Sequence, residues 1–280
     1  MITSQIMGGL GNQLFQIFNL ISYSLTNNVA FHFEPQHQVK KERPFYWDNF
    51  LKSLKTFIKP MKTDNIYKEP HFHYTKVPLY SEIQKPFKFV GYFQSYKYFH
   101  ENEEYIFKMI QLESQKEATK LKYYNLFAFE NIISLHFRIG DYKNLQQHHP
   151  VASINYYINA LKYTIDKTNK TDWTILYFYE KQDKNEVSQN ISKIKEIFPN
   201  LSFRPIDTDI PDYEQLLLMS LCKHNIIANS SFSWWGAYFN TNQHKIVCYP
   251  NPDKWFGPAQ GKKKMDDMFP DTWVNIIFLL

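Results

Sequence analysis

Glycine is scarce in this chain, eight residues in 280, and three of the eight, Gly8, Gly9 and Gly11, crowd into the opening MITSQIMGGLGNQLFQ. Only two cysteines occur, Cys222 and Cys248. They exclude a disulfide-stapled scaffold and read as small core hydrophobes in a reducing compartment. No apolar run approaches the about 20 residues that a bilayer-spanning helix needs, and no charged leader with an apolar stretch opens the chain. The expectation is a soluble, cytoplasmic protein with no transmembrane segment; peripheral membrane association stays open. The four N-x-S/T sequons, at Asn169, Asn190, Asn200 and Asn229, then read as chance in an Asn-rich chain. Charge of one sign is also lacking. A dispersed net +5 is too mild for a nucleic-acid partner, although it suits an anionic substrate. The one dense basic run, Lys262 to Lys264, is followed at once by Asp266 and Asp267 and reads as a solvated loop. Internal repeats and low-complexity segments are absent.

Aromatic residues are abundant, at 18%, which suits both packed cores and clefts with stacking surfaces. Strand and helix patterns alternate. Ile2 to Met7 reads as a strand, and from Asn12 the residues Leu14, Phe18, Ile21 and Leu25 recur at helical spacing. A strand over 29–33, a helix near 47–58, an aperiodic stretch over 60–86, a strand over 88–93 and a helix over 103–112 complete the first half. The second half offers strands at 131–137, 172–179, 201–206, 225–229 and 245–250, with helices at 154–168, 184–198, 212–223 and 232–239. Alternation with nearly all-apolar strands implies parallel sheets covered on both faces. The fold class is therefore α/β, with a length that suits two domains, 1–128 and 129–280, and a ligand in the cleft between them.

The glycine cluster lies where the first strand turns into the first helix. Such turns sit at the C-terminal edge of an open α/β sheet, where a helix N-terminus favours anions. No Gly-Lys-Ser/Thr follows, so it is not a Walker loop, and Gly9-x-Gly11-x-x ends on Leu14 and not on a third small residue. A structural turn and a ligand loop both fit the spacing. The strand over 131–137 runs into His136-Phe137-Arg138-Ile139-Gly140-Asp141-Tyr142. Arg138 offers a donor fork for a phosphate and Gly140 frees the turn; a structural Arg-Asp pair closing a βα loop fits equally. In NIIANSSFSWWGAYF (225–239) a strand ends at Asn229, and Ser230, Ser231 and Ser233 crowd a helix start, suited alike to phosphate binding and to capping. Trp234 and Trp235 read as core.

Together GGLGNQLFQ at the start, GYFQSYKYF (91–99), HFRIGDY (136–142) and LLLMSLCKHNIIANSSFSWWGAYF (216–239) resemble the α-1,2-fucosyltransferase family, inverting GDP-fucose-dependent enzymes. The likeness runs in matching order over most of the chain. It implies a GT-B-like fold of two Rossmann-like domains facing across a cleft, an acceptor-side first domain, and a second domain that holds the donor. It implies transfer of L-fucose from GDP-fucose to a glycan hydroxyl, the galactose 2-OH, with no cofactor and no metal. By the same likeness Arg138 contacts the diphosphate, with His136 beside it in the motif. Asn229, Ser230, Ser231, Phe232 and Ser233 line the phosphates and sugar, and Gly9, Gly11 and Asn12 reach the donor from the first domain. Two positions depart from the family pattern. Ile139 replaces a second arginine, and Gln215 replaces an aspartate expected to read the guanine edge, where N1 and N2 are donors that an amide NH₂ cannot answer. Another nucleotide-deoxysugar donor, or an inactive binding module, is the alternative.

Breaking a sugar–diphosphate bond builds negative charge on the leaving phosphate. Arg138 and the helix-end amides would stabilise it, the larger part of catalysis. The acceptor hydroxyl must lose a proton, and Asp141 is the nearest carboxylate in the motif. It acts either as that base or as an orienter of Arg138 while a phosphate oxygen takes the proton. Asp207-Thr208-Asp209 has the form that holds Mn²⁺ in other transferases, but it stands before Pro211 and a helix, where such residues serve turns and caps. His71-x-His73 and His148-His149 lack partners at metal spacing.

Overall fold

The computed structural model describes residues 1–35, 43–127 and 131–277. Contacts divide the chain into two compact units, Met1–Gln115 with Lys263–Pro270, and Lys116–Lys262 with Asp271–Leu280. The boundary expected at 128 lies outside the described residues. The contact division falls inside the helix Leu112–Lys122, whose later turns are tied into the second unit: Lys116 Nζ donates to the Phe239 carbonyl, and Lys122 and Tyr123 both donate to Glu214.

In the first unit β1 (Ile2–Ser4), β2 (Ile66–Lys68) and β3 (Phe87–Val90) form a parallel sheet in the order β1-β3-β2. Ile2 stands opposite Phe87, and Ile66 opposite Lys88. The helices are α1 (Leu10–Asn27), α2 (Tyr80–Ile83) and α3 (Glu103–Met109). α1 ends where Asn28 takes a left-handed φ of 47°, a helix stop that asparagine tolerates. β2 escaped the sequence reading because it alternates exposed, half-buried, exposed and so carries no apolar run. The strand expected over 29–33 is reduced to isolated bridges, Phe31 with Ile2 and Phe33 with Ile58. The helix expected near 47–58 is a turn followed by a 3₁₀ helix, Lys52–Phe57. Its buried residues Trp47 and Phe50, and Leu51 and Leu54, are spaced by three, which a 3₁₀ turn also brings into line.

α4 (Leu112–Lys122) carries the division, and the second unit follows as β4 (Ile132–His136), α5 (Ile154–Thr168), β5 (Thr174–Phe178), α6 (Lys184–Ile197), β6 (Ser202–Pro205), α7 (Asp212–Ser220), β7 (His224–Ile226), α8 (Ser231–Tyr238), β8 (Val247–Pro250) and β9 (Val274–Ile276). Among the described residues the six strands form one parallel sheet in the order β6-β5-β4-β7-β8-β9. Counted within the unit this is 3-2-1-4-5-6, the doubly wound order of Rossmann folds. Both sheet faces are covered. Ile133, Leu135, Ile175 and Ile226 join one core with residues of α5 and α6, while Ile132, Leu176 and Phe178 join another with Leu218 and Met219 of α7. Inward and outward positions are thus both apolar, the reason these strands read so clearly. Cys222 and Cys248 are free and buried, and burial pushes the Cys248 thiol up to about 12. Trp234 and Trp235 are fully buried. α8 lies so close to α7 that a Cβ on Gly236 would stand 2.8 Å from Met219 Cβ.

Candidate active site

In the second unit the chain winds from β4 to β5 and β6 on one side and resumes with β7 on the other. The carboxyl ends of β4 and β7 therefore flank the topological switch point, where open α/β sheets bind ligands. HFRIGDY leaves the end of β4 and ANSS leaves the end of β7, so two motifs about 90 residues apart meet by topology. Tyr142 Oη donates to the Asn229 carbonyl at 3.3 Å, and the rings of His136 and Phe232 lie 5.7 Å apart.

Arg138 is the centre of this arrangement. Its guanidinium donates to Asp141 Oδ1 at 2.6 Å, pairs through Nη1 with Glu180, and lies 4.9 Å over the Tyr142 ring. Glu180 follows β5 and was not singled out from the sequence. It also accepts from Gln182 Nε2. The turn beneath is fixed by Asp183, 1% exposed, whose Oδ2 accepts from the Gly140 amide at 2.7 Å. Gly140 has φ +26°, and a Cβ there would stand 2.6 Å from Glu180 Oε2. A side chain at 140 would both strain the backbone and expel Glu180. Lys143 completes the cluster, paired with Glu186 and 3.7 Å from Asp183.

His136 is buried, and its Nδ1 has no hydrogen-bond partner among the described residues. Burial, seconded by the Arg138 cation, lowers its pKa to about 3, so the imidazole is neutral at physiological pH and offers hydrogen bonds without charge. Asn229 is buried and donates through Nδ2 to the carbonyls of Pro150 at 2.7 Å and Trp255 at 3.2 Å, leaving Oδ1 without a partner among the described residues. Ser230 caps α8, its hydroxyl accepting from the Phe232 amide at 3.3 Å, and the Ser233 hydroxyl donates to the Ser230 carbonyl. Ser231 and Phe232 occupy the first turn of α8.

Gln215 sits in the first turn of α7, and its Nε2 donates to the Ile210 carbonyl at 2.8 Å. Glu214 beside it accepts two bonds of 2.8 Å from Lys122 and one of 2.5 Å from Tyr123. Burial raises its pKa, but these bonds outweigh burial and hold the carboxyl below its usual value. Asp207 accepts from the Asp209 amide and Asp209 pairs with Lys181, which makes this segment a turn. The rings of His71 and His73 stack on each other, and His149 stacks on Tyr142. Among the described residues no group of three or more His, Cys, Asp or Glu is placed to hold a metal ion.

The first unit, taken by itself, also gathers its motifs at the C-terminal edge of its sheet. Gly8 has φ +83°, Gly9 precedes α1 in an extended conformation, and Gly11 lies inside the helix. The turn is held by side chains of the helix it starts. Gln16 exchanges hydrogen bonds with both the amide and the carbonyl of Met7, and Gln13 donates to the Gly8 carbonyl. Asn12 Oδ1 accepts from Gln94 Nε2 at 2.7 Å, so the loops after β1 and β3 are joined. Glu69, just past β2, accepts from the Tyr92 and Phe93 amides. Burial holds its carboxyl above the usual value. The run at 262–267, expected as a solvated loop, is a strap on this edge. Lys263 lies 5.0 Å over the Phe72 ring, and Asp267 takes the Ser95 hydroxyl on its carbonyl and pairs with Lys97. Lys263 and Asp267 are thus held within the unit and Met265, Met268 and Phe269 are buried beside them, while Lys262, Lys264 and Asp266 face solvent as expected.

The doubly wound sheet with a cationic βα loop at its switch point defines a protein of the doubly wound α/β class. Comparison with known sequences narrows the class. The model of glycosyl transferase family 11 matches residues 1–277, and the chain belongs to that family; it is a glycosyltransferase. It is 26% identical over 309 aligned positions to an alpha-1,2-colitosyltransferase of Escherichia coli, covering 98% of each chain. It is 25% identical to a galactoside 2-alpha-L-fucosyltransferase of Caenorhabditis elegans, covering 99% of this chain and 79% of that protein. To the O-antigen biosynthesis glycosyltransferase WbnK of Escherichia coli it is 34% identical over 152 residues, 52% of this chain and 45% of the relative. Among the described residues no helix is long and apolar enough to cross a membrane.

Proposed function

We propose that the protein transfers L-fucose from GDP-fucose to a glycan hydroxyl, the 2-OH of a galactose unit, with inversion and without a metal or other cofactor, the first unit serving the acceptor and the second the donor. The observation that carries this reading is Arg138 at the end of β4, beside the start of α8, at the switch point of a doubly wound sheet. A guanidinium there can clamp a diphosphate with two parallel bonds and stabilise the charge that develops as the glycosidic bond breaks. The amides that open α8 add partial positive charge. Neutral His136 supplies a donor or acceptor next to the anion without competing for it. Asp141 at 2.6 Å from Arg138 fits the orienting role, since its carboxylate is engaged with the guanidinium and holds that plane. The named relatives, a fucosyltransferase and a colitosyltransferase, favour a deoxyhexose donor.

A second reading keeps the reaction and changes the donor sugar or base. It is favoured by Gln215, whose amide is engaged with Ile210, and by Glu214, whose carboxylate is engaged with Lys122 and Tyr123, so neither faces a guanine edge as it stands. A donor screen scored by nucleotide release in the presence of a galactoside tests both. Turnover highest with GDP-fucose supports the first reading. Turnover confined to another nucleotide-deoxysugar supports the second, and no turnover with any donor overturns both.

A further inference from the structure

Arg138 is neutralised twice over by the protein's own carboxylates. Asp141 and Glu180 both pair with it, while Lys143 close by faces Asp183 and Glu186. Two cations thus meet four carboxylates around the Gly140 turn, and on the nucleotide-sugar reading an incoming diphosphate competes with two carboxylates for one guanidinium. A bidentate grip on the phosphate needs the Nη1 donors that Glu180 now holds. Asp141 stands three residues from Arg138 in the same turn, whereas Glu180 comes from the loop after β5, next to β4 in the sheet. Glu180 also has somewhere to go. It stands directly over the Gly140 turn and past the second strand of a doubly wound unit, within reach of whatever that turn holds. A carboxylate is an acceptor only, and the two hydroxyls of a ribose are donors it can take together.

We infer that the Arg138–Glu180 pair is exchangeable, and that a nucleoside diphosphate takes over the Arg138 fork while Glu180 turns to the ribose hydroxyls. The inference rests on the nucleotide-sugar reading above. The exchange swaps one carboxylate–guanidinium pair for a phosphate–guanidinium pair and adds hydroxyl–carboxylate bonds, so no charge is left without a partner. Asp141 stays on Arg138 throughout and keeps its plane fixed.

Titration calorimetry with GDP, 2′,3′-dideoxy-GDP and inorganic pyrophosphate tests this on the full chain, comparing the parent with Glu180→Ala, Glu180→Gln and Asp141→Asn. Hydrogen bonds from hydroxyls to a charged group predict that the parent binds dideoxy-GDP about 10- to 100-fold more weakly than GDP. In Glu180→Ala that ratio should collapse to within about threefold, with Glu180→Gln between, while pyrophosphate binds several-fold more tightly because Arg138 has lost a competitor. Asp141→Asn should keep the parent's full ratio. A ratio in Glu180→Ala equal to the parent's, or pyrophosphate affinity unchanged in it, overturns the inference. A parent chain that binds GDP no better than pyrophosphate instead overturns the nucleotide reading on which it rests.

Discussion

Two buried histidines should make this protein acid-sensitive well above the range where carboxylates titrate. His136 and His224 are each 6% exposed. Burial first, and then Arg138 near the one and Lys223 and Lys170 near the other, bring them to about 3 and about 4. His224 is further committed, since its Nδ1 accepts from the Ile246 amide at 2.9 Å and must stay unprotonated to do so. In the unfolded chain each takes a proton near its ordinary value of about 6.5. The unfolded state therefore binds more protons between pH 6.5 and pH 3 to 4, so stability is full above that window and falls as pH drops through it. At pH 5 each histidine should withdraw about 2 kcal/mol, about 4 together, a large share of the about 5–15 kcal/mol of a typical domain. Glu69, held above its usual value by burial, works in the opposite direction but is common to every variant and cancels in comparison. Urea unfolding at pH 7.5 and 5.0 measures the difference for the parent, His136→Gln and His224→Gln. Each variant should shrink it by about 2 kcal/mol, whatever its absolute stability. An undiminished difference in both would show that these imidazoles are not held neutral and would refute the account of His136.

Arg138→Lys keeps the charge but loses the planar fork, so kcat should fall by roughly 10²-fold or more with the melting temperature unchanged, and parent-like kinetics would take HFRIGDY out of the active site. If Asp141 orients Arg138, Asp141→Asn should lower kcat similarly, and the double variant should be little worse than either single one; a lost acidic limb in the pH–rate profile would make Asp141 the base. Turnover should survive EDTA, and a loss restored by Mn²⁺ would bring back Asp207 and Asp209 as metal ligands. Gln215→Asp should set a carboxylate against the Ile210 carbonyl and lower stability by about 1 kcal/mol in a denaturant titration, whereas tighter GDP binding would mean that position 215 turns to the base.

The sequence by itself determined the α/β class, the parallel strands of the second unit and the identity of the cationic loop. Strands buried on both faces are largely apolar, as Ile132, Ile133 and Leu135 are, and an arginine with a glycine two residues on at a strand end is a local signal. It also determined that Trp234 and Trp235 are core. It was silent where no local pattern exists. β2 is an exposed edge, β9 is three residues long, and the 3₁₀ segment at 52–57 shares its apolar spacing with an α-helix. The Asp141 pair of Arg138 was legible in its own loop, but its partners from beyond that loop were decided by tertiary structure. Glu180 and Asp183 lie more than 40 residues from it, in a loop whose composition resembles any solvated turn, and they reach it because β5 pairs beside β4. The strap carrying Lys263 and Asp267 shows the same thing, since a charge run looks solvated until the partners on Phe72, Ser95 and Lys97 are in place. Local sequence fixes what a side chain can do, but which opposite charge it meets depends on strand order, and strand order is set by how the whole sheet buries both of its faces.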